Sequence, residues 1–275
     1  MELLQPSDVA ELDGGVFVHG GTEVIPLLRD GLIETETLVD VRGIVPRGID
    51  RDGTRIGAGT TLAELEGDAE IPDALREACR LAASPQLRNM GSVAGNLLQS
   101  TRCWYWRLDF PCRLHGGDTC HARAGEHREH AILGNGFCAS AHPSDVAAAL
   151  IALGATMRTT TRKLAVADLY RLPTDDDRSL TTLEPGELIL ELDVPQPDKS
   201  VYLKAMERQR WSFPIVGVAA ARTGGERTIV LAGVAPVPWV LDSPEALADA
   251  TPLPGTAYKV EIAEALVRRA LEAIA

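Results

Sequence analysis

The 275-residue sequence contains no run of roughly 18 uninterrupted apolar residues, the length a membrane-spanning helix requires. Its beginning, MELLQPSDVAELDGG, is acidic and has no basic stretch leading into an apolar one, so no secretory signal is read there. Basic residues are in the minority: 27 Lys and Arg against 39 Asp and Glu give a formal net charge of −12. Nucleic acid and anionic membranes both demand a basic face, and this balance argues against either as the main partner. Paired C-x2-C knuckles, internal repeats and low-complexity tracts are all missing. Five cysteines, an odd number, in a chain without a signal argue against a disulfide framework and for free thiols or metal ligation. The chain therefore reads as cytoplasmic, with export alongside a signal-bearing partner left open.

What is present is an ordinary globular composition, 45% apolar, at a length that exceeds one small core. Residues 15–40 read as strand, helix and strand, with Thr22 as helix cap, Pro26 in the first turn and Gly31 as the stop. TRIGAGTTLAEL carries Gly57 and Gly59, but Leu62 stands where a dinucleotide fingerprint needs its third glycine, so this is ordinary turn chemistry. PDALREACRLAA has helical spacing that turns Cys79 into a core. HPSDVAAALIALGA is a helix with Ser144 as N-cap and Gly154 as stop. ATMRTTT, LAVADL and LILELDVP read as strands, as do VYLKAMER, FPIVGVAAAR and RTIVLAGVAP, with a Gly224-Gly225 hairpin. DVPQPDK (193–199) reads as a linker, and SPEALADA and the C-terminal TAYKVEIAEALVRRALEAIA as helices.

Chemistry concentrates in one segment. Between Thr101 and Cys138 lie four of the five cysteines and four of the six histidines, beside Trp104, Tyr105 and Trp106. Cys103, Cys112, Cys120 and Cys138 have the spacing C-x8-C-x7-C-x17-C. Four thiolates hold zinc or an iron–sulfur cluster, and the wide spacing suits a loop wrapped around a larger object. The spacing alone leaves cluster, zinc and reduced thiols open. His115, His121, His127, His130 and His142 are further candidate zinc ligands, although histidines in a polar loop more often serve structure. A second feature is the pair of glycine loops, HGGTEV at 19–24 and GSVAGN at 91–96, which together can clamp one extended ligand.

These motifs carry a resemblance. VFVHGGTEVIPLLRDG, ASPQLRNMGSVAGNLLQ, HPSDVAAALIALGAT, VYLKAMERQRWSFPIVGVAAA and IVLAGVAPVPW resemble, almost end to end, the flavin subunit of the molybdenum hydroxylases, the xanthine dehydrogenase and aldehyde oxidoreductase group. QSTRCWYWR, GGDTC, GEHREHAILG and the cysteine before HPSD resemble an insertion that holds a [4Fe–4S] cluster in the branch of bacterial molybdenum aldehyde dehydrogenases. His19, Glu23 and Ala94 depart from the commoner motif, which has a small residue, Asp and Gly there.

The resemblance implies an α+β, two-subdomain FAD-binding fold of the vanillyl-alcohol-oxidase type over residues 1–197, with subdomains 1–53 and 54–197 and the cysteine loop at 101–139. A C-terminal domain of small antiparallel sheet plus helices, 198–275, follows. Val18, His19, Gly20, Gly21, Thr22, Glu23, Val24 and Ile25 would wrap the FAD pyrophosphate and ribityl chain. Ser92, Gly95, Asn96 and Thr101 would complete the flavin site. Asp145 would face the ribityl chain, against a reading as a helix cap only. Lys204 would approach from the C-terminal domain, against a reading as a solvated strand lysine. Cys103, Cys112, Cys120 and Cys138 would ligate the cluster, with the three aromatics as packing around it. The implied function is electron transfer through FAD between iron–sulfur clusters and an external acceptor, alongside a molybdopterin-containing large subunit and a [2Fe–2S] small subunit. The rival expectations are a stand-alone FAD/[4Fe–4S] oxidoreductase, a flavin-free scaffold, and zinc in the cysteine loop.

Overall fold

A computed structural model describes residues 1–12, 14–50, 54–108, 110–208 and 211–275. The chain first builds a three-stranded parallel sheet from β1 (Glu2–Leu4), β2 (Val16–Val18) and β3 (Thr37–Asp40), ordered β1-β3-β2. Parallel neighbours need a crossover, and helix α1 (Val24–Arg29) supplies it between β2 and β3. Glu23, rather than the expected Thr22, is the N-cap of α1, and no side chain caps that end. At the end of β3 the buried Asp40 pairs with Arg42 at 2.5 Å.

The second sheet is antiparallel. It opens with β4 (Arg55–Gly57), and the chain then leaves it for six helices: α2 (Leu62–Gly67), α3 (Asp73–Leu81), α4 (Pro85–Arg88), α5 (Val93–Leu97), α6 (Trp104–Arg107) and α7 (Asp145–Ala152). It returns as β5 (Thr156–Thr159), β6 (Lys163–Ala165) and β7 (Ile189–Asp193), giving the order β4-β7-β5-β6. Thr61 and Glu64 form a reciprocal capping box that starts α2. Cys79 is wholly buried on α3, as its spacing predicts. The expected strand LAVADL pairs only at its start. Val166–Leu169 coils into a single 3-10 turn, which brings Val166 and Leu169, three apart, onto one buried face.

The third sheet comprises β8 (Lys199–Ala205), β9 (Val216–Thr223), β10 (Glu226–Ala232) and β11 (Trp239–Val240), antiparallel in the order β11-β10-β9-β8. Helix α8 (Tyr258–Ala273) covers one face. SPEALADA, expected as α-helix, winds instead as a 3-10 turn over Pro244–Asp249. Side chains alternate across β9 and β10: Val216, Val218, Ala220, Ile229 and Leu231 pack toward α8, whereas Ala219, Ala221, Val230 and Ala232 join the core around α7. Both faces are buried, which is why IVGVAAA and IVLAGV read as continuous apolar runs. All eight residues of α7 are buried, between α3 and α5 on one side and β9 and β10 on the other. Among the described residues, no helix is long and apolar enough to cross a membrane.

The Arg42 guanidinium bonded to Asp40 holds its carboxyl down to about 2. A depressed carboxyl stabilises the fold above its unfolded value and loses that contribution as pH falls through the folded one. The stability difference between the natural chain and Asp40→Asn should therefore be ~1–2 kcal/mol near neutrality, the partner being largely exposed. It should vanish between about pH 4 and pH 2 in denaturation curves taken across that range.

Candidate flavin and metal sites

Two cavities meet in this fold. The larger, about 440 Å3, draws its wall from all three sheet units: Thr22 and Glu23 after β2, Gly91, Gly95 and Asn96 around α5, Asp145 on α7, and Phe213, Gly233 and Lys259 from the C-terminal part. This lies within the roughly 300–1,000 Å3 typical of ligand sites. The smaller, about 20 Å3, is ringed by Cys103, Cys112, Cys120 and Cys138. Cys103 lines both, so one residue forms part of the partition between them.

The two glycine loops touch directly. A Cβ on Gly20 would fall 1.8 Å from the Met90 carbonyl oxygen, a separation no side chain permits. Glycine at 20 is thus required by main chain pressed against main chain, which brings both loops to one rim. Gly57 has a different reason: a Cβ there would meet the Pro46 carbonyl at 2.4 Å, so the G-x-G of the second unit is packing.

Of the residues expected around a flavin, Thr22, Glu23, Gly95, Asn96 and Asp145 line the larger cavity. Val18, His19, Gly20, Gly21, Val24, Ile25, Ser92, Thr101 and Lys204 do not line it. Ser92 accepts the Gly95 amide at 3.1 Å and caps α5, and Thr101 accepts the Cys103 amide at 3.1 Å. Glu23 is not a free acceptor. Its carboxylate takes Arg102 at 2.7 Å, Arg107 at 2.5 Å and the Ser100 amide at 3.1 Å, which ties the first glycine loop to the chain entering the cysteine segment. Asn96 accepts the Ser144 hydroxyl at 2.6 Å, while Ser144 caps α7 as expected.

Lys204 is neither solvated nor at the cavity. Its side chain is wholly buried and donates to Asp145 at 2.8 Å and to the Leu81 carbonyl at 2.9 Å. Tyr202 donates a very short hydrogen bond to the other Asp145 oxygen. Burial pushes the Asp145 carboxyl up while the Lys204 ammonium opposes that shift. Asp145 is therefore the joint between α7 and β8, as well as part of the cavity wall.

The aromatic trio divides. Tyr105 and Trp106 line the cysteine cavity as expected, with Tyr105 edge-on to Phe110 at 5.2 Å and Trp106 beside His115 at 5.3 Å. Trp104, 56% exposed, lines the larger cavity instead of shielding the cysteines. Burial raises the Cys103 thiol and pushes Cys138 up to about 12. Among the described residues no group of three or more His, Cys, Asp or Glu is placed to hold one metal ion.

Several cavity residues had no clear sequence signal. Arg102 reaches the cavity 5.1 Å over the Phe213 ring, and its buried Nε has no partner. His130 and His142, grouped in the sequence with loop histidines, are both buried on the cavity wall. Burial lowers His142 to about 3 and His130 to about 4, so both are neutral. Lys259, fully buried in the first turn of α8, donates to the Glu129 carbonyl at 2.8 Å and the Gly233 carbonyl at 2.9 Å, and burial draws it down to about 8. It is one of several bonds holding the return arm of the cysteine segment on the C-terminal part. Others join Gly255 to His127 at 3.0 Å, Tyr258 to the Arg128 carbonyl at 3.0 Å and Asn135 to the Thr251 carbonyl at 2.8 Å.

Residues 7–197 match the model of the FAD binding domain in molybdopterin dehydrogenase. The chain belongs to this family. It is similar to the aldehyde oxidoreductase FAD-binding subunit PaoB of Escherichia coli (strain K12), 37% identical over 85% of this chain and 79% of that one. It is also similar to the carbon monoxide dehydrogenase medium chain of Afipia carboxidovorans, 28% identical over 92% and 86%. A solved Cu,Mo-CO dehydrogenase in its cyanide-inactivated form superposes with a TM-score of 0.70 at 25% identity, over 99% of this chain and 96% of that one. Quinoline 2-oxidoreductase from Pseudomonas putida 86 shares the fold at a TM-score of 0.65 and 19% identity, over 99% and 96%.

FAD suits the larger cavity on grounds internal to the structure. Two loops press main chain to main chain at its rim, α1 begins without a side-chain cap, and the Arg102 Nε there lacks a partner. Gly20→Ala would force those loops apart at a cost of about 1–3 kcal/mol. The variant should bind FAD at least about tenfold more weakly in fluorescence titrations. Asp145→Ala would leave the buried Lys204 ammonium without an anion, costing about 3–5 kcal/mol in denaturant unfolding. The double variant with Lys204→Met should recover part of that loss.

Proposed function

We propose that the chain is the flavoprotein electron-transfer subunit of a molybdenum hydroxylase-type oxidoreductase, working with a molybdopterin-containing large subunit and a [2Fe–2S] small subunit. The observation that carries this reading is the meeting of two glycine loops at a cavity walled by all three units, in a chain of the molybdopterin dehydrogenase FAD-binding family. Two relatives support it by name: one is an FAD-binding subunit of an aldehyde oxidoreductase, the other the medium chain of a carbon monoxide dehydrogenase. Bound FAD supplies electron exchange as a pair or singly. Thr22, Gly95 and Asn96 line its site, Arg102 offers a cation for the diphosphate, and Phe213 and Trp104 add apolar wall. The neutral His142, packed edge-on against Tyr170 at 4.9 Å, adds a polar edge without charge. Asp145 and Lys204 act by holding α7 against β8, and Glu23 by fixing Arg102. The FAD-binding domain spans residues 1–197 and the C-terminal domain 198–275. This division is supported by the family match ending at 197 and by the third sheet starting at Lys199. The inner boundary at 53 falls outside the described residues.

Cys103, Cys112, Cys120 and Cys138 hold a [4Fe–4S] cluster in this reading. The support is that all four thiols line one small cavity and that their wide spacing suits a loop wrapped around a larger object.

Protein purified without air should show flavin bands over a broad shoulder that bleaches on reduction, with about four irons per chain and no stoichiometric zinc. It should copurify with two further chains. Flavin without iron would remove the cluster from the reading. A lone chain with its own dehydrogenase activity would replace the relay with a stand-alone enzyme.

A further inference from the structure

The partition between the two cavities contains a contact that the flavin reading does not use. His130 lines the larger cavity and Cys103 lines both. His130 Nε2 lies 3.2 Å from Cys103 Sγ, within hydrogen-bond reach of a sulfur. His130 is 3% exposed, and its other nitrogen, Nδ1, is buried without a protein partner. Among the described residues, Cys103 Sγ is the hydrogen-bond partner of Nε2. A ligating thiolate can only accept, so the tautomer that satisfies this pair carries its hydrogen on Nε2 and donates it to Cys103.

The backbone that carries the ring is held from both sides. The His130 amide donates to the His127 carbonyl at 2.9 Å, and the Ala131 amide beside it donates to Ala139 at 2.8 Å, one residue beyond Cys138. On the far side, Lys259 and Tyr258 fix the carbonyls of Glu129 and Arg128. The donor is therefore set by the C-terminal domain, although the acceptor belongs to the cysteine segment.

We propose that His130 is a positioning residue for the cysteine-bound cluster, donating an N–H···S bond to Cys103, on the side facing the flavin cavity, that raises the cluster's reduction potential. A donor to a ligand sulfur stabilises the more negative, reduced form and shifts the potential upward. This rests on the cluster reading above. Among the four cysteines, Cys103 is the one that meets a histidine in this way; Cys138 meets the Ser140 hydroxyl at 3.2 Å instead.

The test is a redox titration of the intact chain, followed by electron paramagnetic resonance of the reduced cluster. His130→Leu should move the cluster midpoint to a more negative potential with iron and flavin content retained, and His130→Gln, which keeps an N–H donor, should move it back toward the natural value. An unshifted midpoint in a fully loaded His130→Leu overturns the proposal. Should that variant lose its iron, the natural chain labelled with 15N-histidine decides. A histidine nitrogen coupled to the reduced cluster in pulsed spectra upholds the contact, and its absence overturns it. A natural chain without iron sinks the cluster reading and this proposal together, whereas four irons with an unshifted variant sinks this proposal alone.

Discussion

Helix α7 has no solvent face, and the carboxylate at its first position has to be neutralised from the sheet that covers it. Burying Asp145 unpaired would cost several kcal/mol. Lys204 and Tyr202, two residues apart on β8 and so on the same face, meet both of its oxygens. That fixes the third sheet against α7 in one register. Phe213 and Gly233, which the C-terminal part contributes to the cavity wall, belong to the layer that this joint fixes. A purely apolar contact of the same area would hold the two layers together but would allow them to slide.

The cysteine segment is the second brace. Its entry is tied to the first glycine loop through Glu23, Arg102 and Arg107, and its return arm is bonded to α8 and the loops of the third sheet. Among its described residues the segment has little regular structure of its own, α6 and two short 3-10 turns, at Arg113–His115 and His121–Arg123. Its conformation is therefore fixed by what it touches, and a metal centre inside it would add the cross-link that short-range packing cannot. Because the segment touches both the first loop and the last helix, the flavin cavity and the cysteine cavity cannot be rearranged independently.

Charge is used sparingly inside. Among the described residues, Arg102 and Arg107 are paired with Glu23 and Lys204 with Asp145, whereas the buried Lys259 has no ion-pair partner. Lys259 rests on two carbonyls, and burial lowers its pKa against the opposing Glu129 charge, which fits a role in holding chain segments together.

The sequence by itself determined the elements and the inventory. Short-range rules were sufficient for the Ser144 cap, the burial of Cys79, the α7 helix and the apolar strands of the third sheet, because each depends on neighbours within one or two turns. The glycine loops and the four cysteines were legible as pairs and spacings for the same reason. What only the tertiary structure decided was which side chains are spent on the fold. Glu23, a candidate flavin contact in sequence, is claimed by arginines 79 and 84 residues away. Lys204 is claimed by Asp145, 59 residues away. Trp104 turns from the cysteines to the larger cavity, and His130 and His142 leave the polar loop for a buried wall. No periodicity encodes such partners, since hydrogen bonds and ion pairs depend on distance in space. Even the need for glycine at position 20 is set by a main-chain oxygen, that of Met90, which any sequence could supply and only the packing brings near.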